Sequence, residues 1–72
     1  MKYKVQVKNG LVREKMKLDR KLMKLNNFIR GVNFMNLSAR HRSLLEEQSN
    51  VMTGYSTILR DRIIDITSQE KE

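Results

Sequence analysis

The sequence predicts an all-α protein, an antiparallel hairpin of two long helices with a short N-terminal arm or helix. Two observations support this fold class. Apolar residues recur at steps of three and four over residues 10–31 and again over residues 38–66. A short connector separates the two stretches and begins just after Gly31, a residue typical of helix ends. With 72 residues the chain forms a single domain, 1–72, which is small enough that we expect a homo-oligomer to stabilise it.

The first nine residues form the N-terminal arm. Tyr3, Val5 and Val7 alternate with polar residues, a spacing typical of a short strand. Because no second strand follows to pair with it, the alternatives are an extended arm on a neighbouring subunit and a helical turn. We expect Asn9 to cap the next helix by accepting a hydrogen bond from an early backbone N–H.

The first helix is predicted over residues 10–31 and ends at Gly31, which we expect in the left-handed conformation. Its apolar stripe consists of Leu11, Leu18, Leu22, Leu25 and Ile29. Met16, Met23 and Phe28 are expected to broaden that stripe. Lysines and arginines occupy much of the remaining surface.

The second helix is predicted over residues 38–66, with Ser38 as its N-cap and a frayed tail at 67–72. Phe34 and Leu37 of the connector should fold back onto this end of the hairpin. The central row of the helix is Leu45, Gln48, Met52, Tyr55, Leu59, Arg62 and Ile66. A flanking row contains Leu44, Val51 and Ile58, and the combined face is wider than one partner helix needs.

Two members of the central row, Gln48 and Arg62, are polar. Such residues indicate a register-setting contact, a subunit interface or a wet pocket. The alternative is a slight rotation of the helix that leaves both side chains at the edge of the core.

The net charge of +7 is unevenly distributed. Residues 1–30 contain ten lysines and arginines against two acids, a charge of +8, whereas residues 31–72 carry −1. This asymmetry favours an anionic partner such as nucleic acid, a nucleotide or a membrane surface. The alternative is a solvated helix face. Arg40, His41 and Arg42 could likewise form an anion site at a helix N-terminus, or pair with Glu46 or with acids of another chain.

Catalytic and metal-binding patterns are missing from the sequence. There is no cysteine, and His41 has no partner at metal-ligand spacing. The chain contains no Gly-rich phosphate loop and no nucleophile with an evident base. We therefore expect no enzyme activity and no cofactor. No apolar run reaches about 18 residues and the N-terminus lacks a signal-peptide core, so we expect an intracellular protein outside the membrane.

The pattern L-L-x-x-Q-x-x-x-M-x-x-Y-x-x-I-L-x-x-R-I runs from Leu44 to Ile63, and E-x-x-x-L-x-x-K-x-x-x-L-x-x-F-I runs from Glu14 to Ile29. With the connector residues Phe34, Leu37 and Ser38, these patterns resemble a family of small tailed-phage proteins. Its characterised members are anti-CBASS sponges for cyclic oligonucleotides. The resemblance covers about residues 11 to 63.

The resemblance implies two long antiparallel helices, assembly into a compact homohexamer, and sequestration of cyclic di- and trinucleotide messengers without cleavage. It places the protein in the host bacterial cytoplasm, where it would block CBASS-type antiviral signalling. Lys21 matches a family lysine that contacts phosphate. The family's stacking aromatic would align near Val7, one helical turn from Tyr3. Arg62 matches an arginine implied at a separate trinucleotide site. The candidate ligand-binding residues are Tyr3, Lys17, Lys21, Arg60 and Arg62.

Two other functions remain open on the residues alone. A small basic helical protein that binds RNA or DNA would explain the charge of residues 1–30, although no nucleic-acid reading motif is present. A helical adaptor would use the broad apolar face to pair with another protein.

Overall fold

A computed structural model describes residues 2–70 as two long helices joined by a short connector. Helix α1 spans Lys2–Ile29, a 3₁₀ helix spans Val32–Asn36, and helix α2 spans Ala39–Glu70. The helices pack antiparallel, and the molecule measures 52 × 14 × 14 Å. The predicted all-α hairpin is confirmed. Within residues 2–70, no helix is long and apolar enough to cross a membrane.

The core is a narrow strip between α1 and α2. Leu59 of α2 is fully buried and Leu11 of α1 is nearly so. The other members of the predicted α1 stripe are half-buried: Leu18, Leu22, Leu25 and Ile29. Two helices alone cannot enclose a wide core, so most apolar side chains keep one side in solvent.

Of the alternatives for the N-terminal arm, the structure supports the helix, and the strand is wrong for the residues that the structure describes. Lys2 to Lys8 belong to α1, which therefore begins eight residues before the predicted start at residue 10. Asn9 lies inside the helix and is not its N-cap. The physical reason is pairing: without a second strand, a helix satisfies the backbone hydrogen bonds locally. Val7 also gains a neighbour, because it lines a groove with Ile66 of α2.

Helix α2 extends beyond its predicted end in the same region. It continues through Glu70 instead of ending at Ile66, so residues 67–70 of the predicted frayed tail are helical. The Thr67 hydroxyl donates a hydrogen bond of 2.7 Å to the Ile63 carbonyl. Residues 71 and 72 lie outside the described residues. The two extensions share one end of the hairpin, where each helix provides packing for the other.

The connector closes the opposite end. Gly31 has φ −85° and ψ 166°, so the predicted left-handed conformation is wrong. Its N–H donates to the Phe28 carbonyl, and a Cβ at this position would lie 3.3 Å from that same oxygen. Close backbone approach therefore explains the glycine. Ser38 is the N-cap of α2 as predicted, because its hydroxyl accepts a bond of 3.1 Å from the His41 N–H.

Phe34 anchors the connector, and the structure confirms its predicted return onto the hairpin. Its side chain is buried and meets the ring of Phe28 edge to face, with 6.4 Å between the ring centroids. Leu37, three residues after Phe34, is half-buried.

The other predicted contributors to the α1 stripe are mostly solvent-exposed: Met16 is 54% exposed and Met23 is 58% exposed. They lie on a flank of α1 that α2 does not cover.

The face of α2 that packs on α1 is rotated about the helix axis, so that three positions of the predicted central row are replaced by the next residue along the chain. Leu45, Met52, Leu59 and Ile66 are buried or half-buried, as predicted. Between them the contact line passes through Ser49, Ser56 and Ile63, while Gln48, Tyr55 and Arg62 are exposed. The alternative of a small rotation, with Gln48 and Arg62 at the edge of the core, is the one the structure supports.

Candidate ligand-binding surface

A polar cluster joins the two helices near the middle of the hairpin. The Lys15 ammonium donates to Asp19 Oδ2 at 2.7 Å and to Ser56 Oγ at 2.9 Å. The Ser56 hydroxyl donates in turn to Asp19 Oδ1 at 2.6 Å. Ser56 is buried, whereas the side chains of Lys15 and Asp19 are 27% and 44% exposed. Each polar group of this cluster is thus satisfied where α1 and α2 meet.

The hydrogen bonds of this cluster change the pKa of Asp19. The hydrogen bonds from Lys15 and then from Ser56 lower the pKa of Asp19 below the ordinary aspartate range, because both stabilise its charged form. One heptad away, the Ser49 hydroxyl donates to Asn26 Oδ1 at 2.5 Å. These contacts occupy the groups that a ligand would need, so we assign them a structural role.

Three candidate ligand-binding residues lie on α1, and all three are exposed: Tyr3, Lys17 and Lys21. At 100° per residue they fall on one side of the helix, along one border of the buried stripe. Lys17 and Lys21 are one turn apart and form a local cationic surface. Tyr3 and Lys21, however, are separated by 18 residues, about 27 Å along the axis. One protomer cannot therefore place both on the same dinucleotide.

The other two candidates lie on α2 and face different sides of the hairpin. Arg60 is exposed and pairs with Asp61, with 3.2 Å between Nη2 and Oδ1. Arg62 lines an open groove of about 380 Å³ at the end formed by the N-terminal turns of α1 and the C-terminal turns of α2. The groove is lined by Val7, Leu11, Ile58, Asp61, Arg62, Asp65 and Ile66. Its two carboxylates outweigh the one arginine, so in a single protomer this groove does not favour a phosphate.

Among the basic residues at the start of α2, Arg42 forms contacts that the sequence did not predict, whereas the anion site and the pairing with acids of another chain stay predictions. Arg42 donates to the Leu37 carbonyl at 2.7 Å and more weakly to the Met35 carbonyl at 3.4 Å. It therefore closes the connector instead of pairing with Glu46. His41 is exposed, and the described residues contain no group of three side chains that could hold a metal ion.

These features define a class of protein: a small helical hairpin with a cationic surface on one helix and an incompletely covered apolar face on the other. The family described as Sequestin matches residues 6–65, most of the chain. The chain belongs to the Sequestin family, and this finding confirms the resemblance seen in the sequence patterns. The family name indicates a binding protein that sequesters its ligand. No curated protein and no solved structure matches the chain.

Sequence reasoning missed the cluster of Lys15, Asp19 and Ser56. A signal for it exists, since Asp19 and Asn26 are seven residues apart on α1, as are Ser49 and Ser56 on α2. In an antiparallel pair of helices, a spacing of seven residues on both helices brings two pairs of residues into contact across the interface. Which serine meets which acceptor depends on the relative register of the helices, and that is visible only in the folded protein.

Proposed function

We propose that this protein sequesters cyclic di- and trinucleotide messengers without cleaving them and so blocks CBASS-type antiviral signalling in the cytoplasm of a phage-infected bacterium. The observation that carries this proposal is membership of the Sequestin family over residues 6–65. The cationic surface of Lys17 and Lys21 supports it, because charge-assisted hydrogen bonds suit the phosphates of such a ligand.

The proposed binding unit is a homo-oligomer, a homohexamer in the form that the resemblance implies. The separation of Tyr3 and Lys21 supports an oligomeric site, since a tyrosine from one copy and a lysine from another can meet where one copy cannot supply both. Exposed apolar side chains on α2, including Val51 and Ile58, support the same assembly. A site between subunits also gives a protein of 72 residues the enclosed pocket that it cannot form alone.

The charge of residues 1–30 favours one second candidate, binding of RNA or DNA. The two functions differ in their salt dependence and in the ligand retained. A polynucleotide held by many lysines loses affinity steeply as salt rises, because bound counterions are released. A small cyclic ligand in a preformed pocket depends less on salt.

Native mass spectrometry with a panel of cyclic di- and trinucleotides and a short RNA tests the proposal. We expect an oligomer that exists without ligand, discrete additions of cyclic nucleotide and weak retention of RNA. Heat denaturation should then release the nucleotide chemically intact. A linearised product would contradict sequestration without cleavage, and preferential retention of RNA would favour the second candidate.

A further inference from the structure

The connector end of the hairpin carries two exposed apolar side chains, Val32 and Met35, which we call the apolar tip. Val32 is 88% exposed, more than any other large apolar residue that the structure describes, and Met35 is 67% exposed. Because residues three apart in a 3₁₀ helix lie on the same side of it, the two side chains share one face of Val32–Asn36. Phe34 points the other way and is buried against Phe28.

Hydrogen bonds on both sides of Met35 fix the backbone of this tip. The Leu37 N–H donates to the Phe34 carbonyl at 3.2 Å. The Arg42 guanidinium donates to the Leu37 carbonyl at 2.7 Å and to the Met35 carbonyl at 3.4 Å. The exposure of Met35 is therefore a fixed feature of the connector, because its backbone is held by groups of α2.

The charge around the apolar tip is positive. Residues 20–45 contain six lysines and arginines and no acid. Arg40 and His41 are exposed in the first turn of α2, and helical Cα–Cβ bonds tilt toward the helix N-terminus, so both side chains lean toward the tip. Within residues 2–70, Arg40 forms no salt bridge. The next acids along α2, Glu46 and Glu47, lie about 10 Å farther from the connector than Arg40.

The size and chemistry of the tip favour one kind of partner. The hairpin is 14 Å across in both short directions, so its end offers a few hundred Å², whereas a stable protein interface covers about 800 Å² of each partner. A nucleic acid would use the charge of Arg40 but would leave Val32 and Met35 exposed to water. A membrane surface uses both features, since apolar side chains enter the boundary of the acyl chains and cations bind anionic headgroups.

We propose that the apolar tip binds the surface of a membrane that contains anionic phospholipids. Val32 and Met35 insert below the headgroups, and Arg40 lies at the level of the phosphates, where its guanidinium donates charge-assisted hydrogen bonds. The long axis of the hairpin then points away from the membrane, which leaves Lys17 and Lys21 in water. This inference goes beyond the proposed sequestration and does not depend on it.

Vesicle co-sedimentation tests the apolar contact with a matched pair of substitutions. The probes are vesicles of equal parts phosphatidylglycerol and phosphatidylcholine, and vesicles of phosphatidylcholine alone. We expect binding to the anionic vesicles and much weaker binding to the neutral ones. Met35→Gln should weaken binding at least about threefold, whereas Met23→Gln, at a position 58% exposed on α1, should weaken it less than about 1.5-fold. Equal effects of the two substitutions would overturn the proposal.

The charge contribution has its own matched pair, because Arg40→Gln and Arg13→Gln remove the same charge at two exposed positions far apart. Arg13 lies about 25 Å from the connector, beyond the screening length of about 10 Å at 0.1 M salt. At that salt concentration Arg40→Gln should weaken binding to the anionic vesicles at least about threefold, and Arg13→Gln should change it little. A larger loss in Arg13→Gln would contradict an end-on contact.

Two further measurements distinguish other partners. Light scattering reports the oligomeric mass of each variant, and a lower mass for Met35→Gln would overturn the proposal in favour of a subunit contact. Retention of a short RNA that Arg40→Gln weakens, without vesicle binding by the original protein, would overturn it in favour of a nucleic-acid contact. Circular dichroism checks that every variant remains helical.

The outcomes also separate this inference from the proposed function. Calorimetry with a cyclic dinucleotide measures sequestration without any vesicle present. A protein that binds the dinucleotide but no vesicle excludes membrane binding alone. A protein that binds anionic vesicles but no cyclic nucleotide excludes sequestration and supports the tip contact.

Discussion

The Ser56 hydroxyl donates a hydrogen bond of 2.6 Å to Asp19 Oδ1, which fixes α2 against α1 near the middle of the hairpin. The same hydroxyl accepts a bond from Lys15, so one small buried group serves both charged side chains. The contact needs a short residue at position 56, because a longer one would separate the helices. Its loss would leave two charged groups of α1 without their partner on α2.

The first prediction concerns this hydroxyl. Ser56→Ala should lower the free energy of unfolding by about 1–2 kcal/mol, because it removes two hydrogen bonds to charged groups at a buried position. Thr57→Ala is the control, since Thr57 is exposed and its one hydrogen bond within residues 2–70 goes to the Thr53 carbonyl of the same helix. That change should stay within about 0.5 kcal/mol. Urea denaturation at one protein concentration measures both, and equal losses would contradict the role of Ser56.

The second prediction is the pH dependence of stability from Asp19. Its folded-state pKa is lowered, chiefly by the hydrogen bond from Lys15 and next by that from Ser56. The unfolded chain therefore binds the proton more readily. The stabilisation is present above the unfolded pKa of about 3.9 and is lost as pH falls through the lower folded value.

Comparison with Asp19→Asn isolates this carboxylate. The original protein should be more stable than the variant at pH 6, and the difference should shrink progressively below about pH 4. Chemical denaturation across this range gives the two curves. A difference that stays constant from pH 6 to pH 2.5 would show that Asp19 ionisation does not contribute.

The third prediction separates packing within the protomer from contact between protomers. On sequence spacing, Tyr55 and Leu59 belong to one row, and a glutamate at either position should dissociate an oligomer. In the structure Leu59 is fully buried against α1, whereas Tyr55 is 40% exposed. Leu59→Glu should therefore unfold the protomer, since an unpaired buried carboxylate costs several kcal/mol. Tyr55→Glu should leave the helices folded and reduce the oligomeric mass.

Circular dichroism and light scattering together distinguish these outcomes. Loss of helical signal is expected for Leu59→Glu alone, and loss of mass with retained helicity for Tyr55→Glu. If Tyr55→Glu kept the full mass of the original assembly, Tyr55 would lie outside the subunit interface.

The difference between Tyr55 and Ser56 also shows what the sequence could predict. Steps of three and four predicted two helices. They also predicted the buried positions that repeat every seven residues, such as Met52 and Leu59, because these positions stay in the interface when the helix rotates slightly about its axis. They did not decide between Tyr55 and the adjacent Ser56 as the residue facing α1. Hydropathy favours the tyrosine, but the serine is buried because Asp19 and Lys15 on the other helix satisfy it.

The prediction of a strand in the N-terminal arm was wrong for a related reason. The alternation through Tyr3, Val5 and Val7 is a local signal, and it carries no information on whether a pairing strand exists. Helix α2 supplies a surface for Val7 at the end groove, and the arm becomes the first turns of α1. For the candidate site, exposure of Lys17 and Lys21 was predictable from the position of the apolar stripe. The distance between Tyr3 and Lys21 followed only once the arm was known to be helical.

The last prediction assigns a ligand phosphate to Lys21. Its side chain is exposed on α1, and the described residues contain no ion pair between Lys21 and Glu47, the acid that could have held it in a purely structural role. Lys21→Ala should lower affinity for a cyclic dinucleotide at least about tenfold in calorimetry, equivalent to about 1.4 kcal/mol, with the oligomer intact. Arg20→Ala removes the same charge from the adjacent position, about 100° around the helix, and should change affinity much less. Equal losses would indicate that only the net charge of α1 matters, whereas unchanged affinity in Lys21→Ala would exclude this lysine and direct the same test to Arg62.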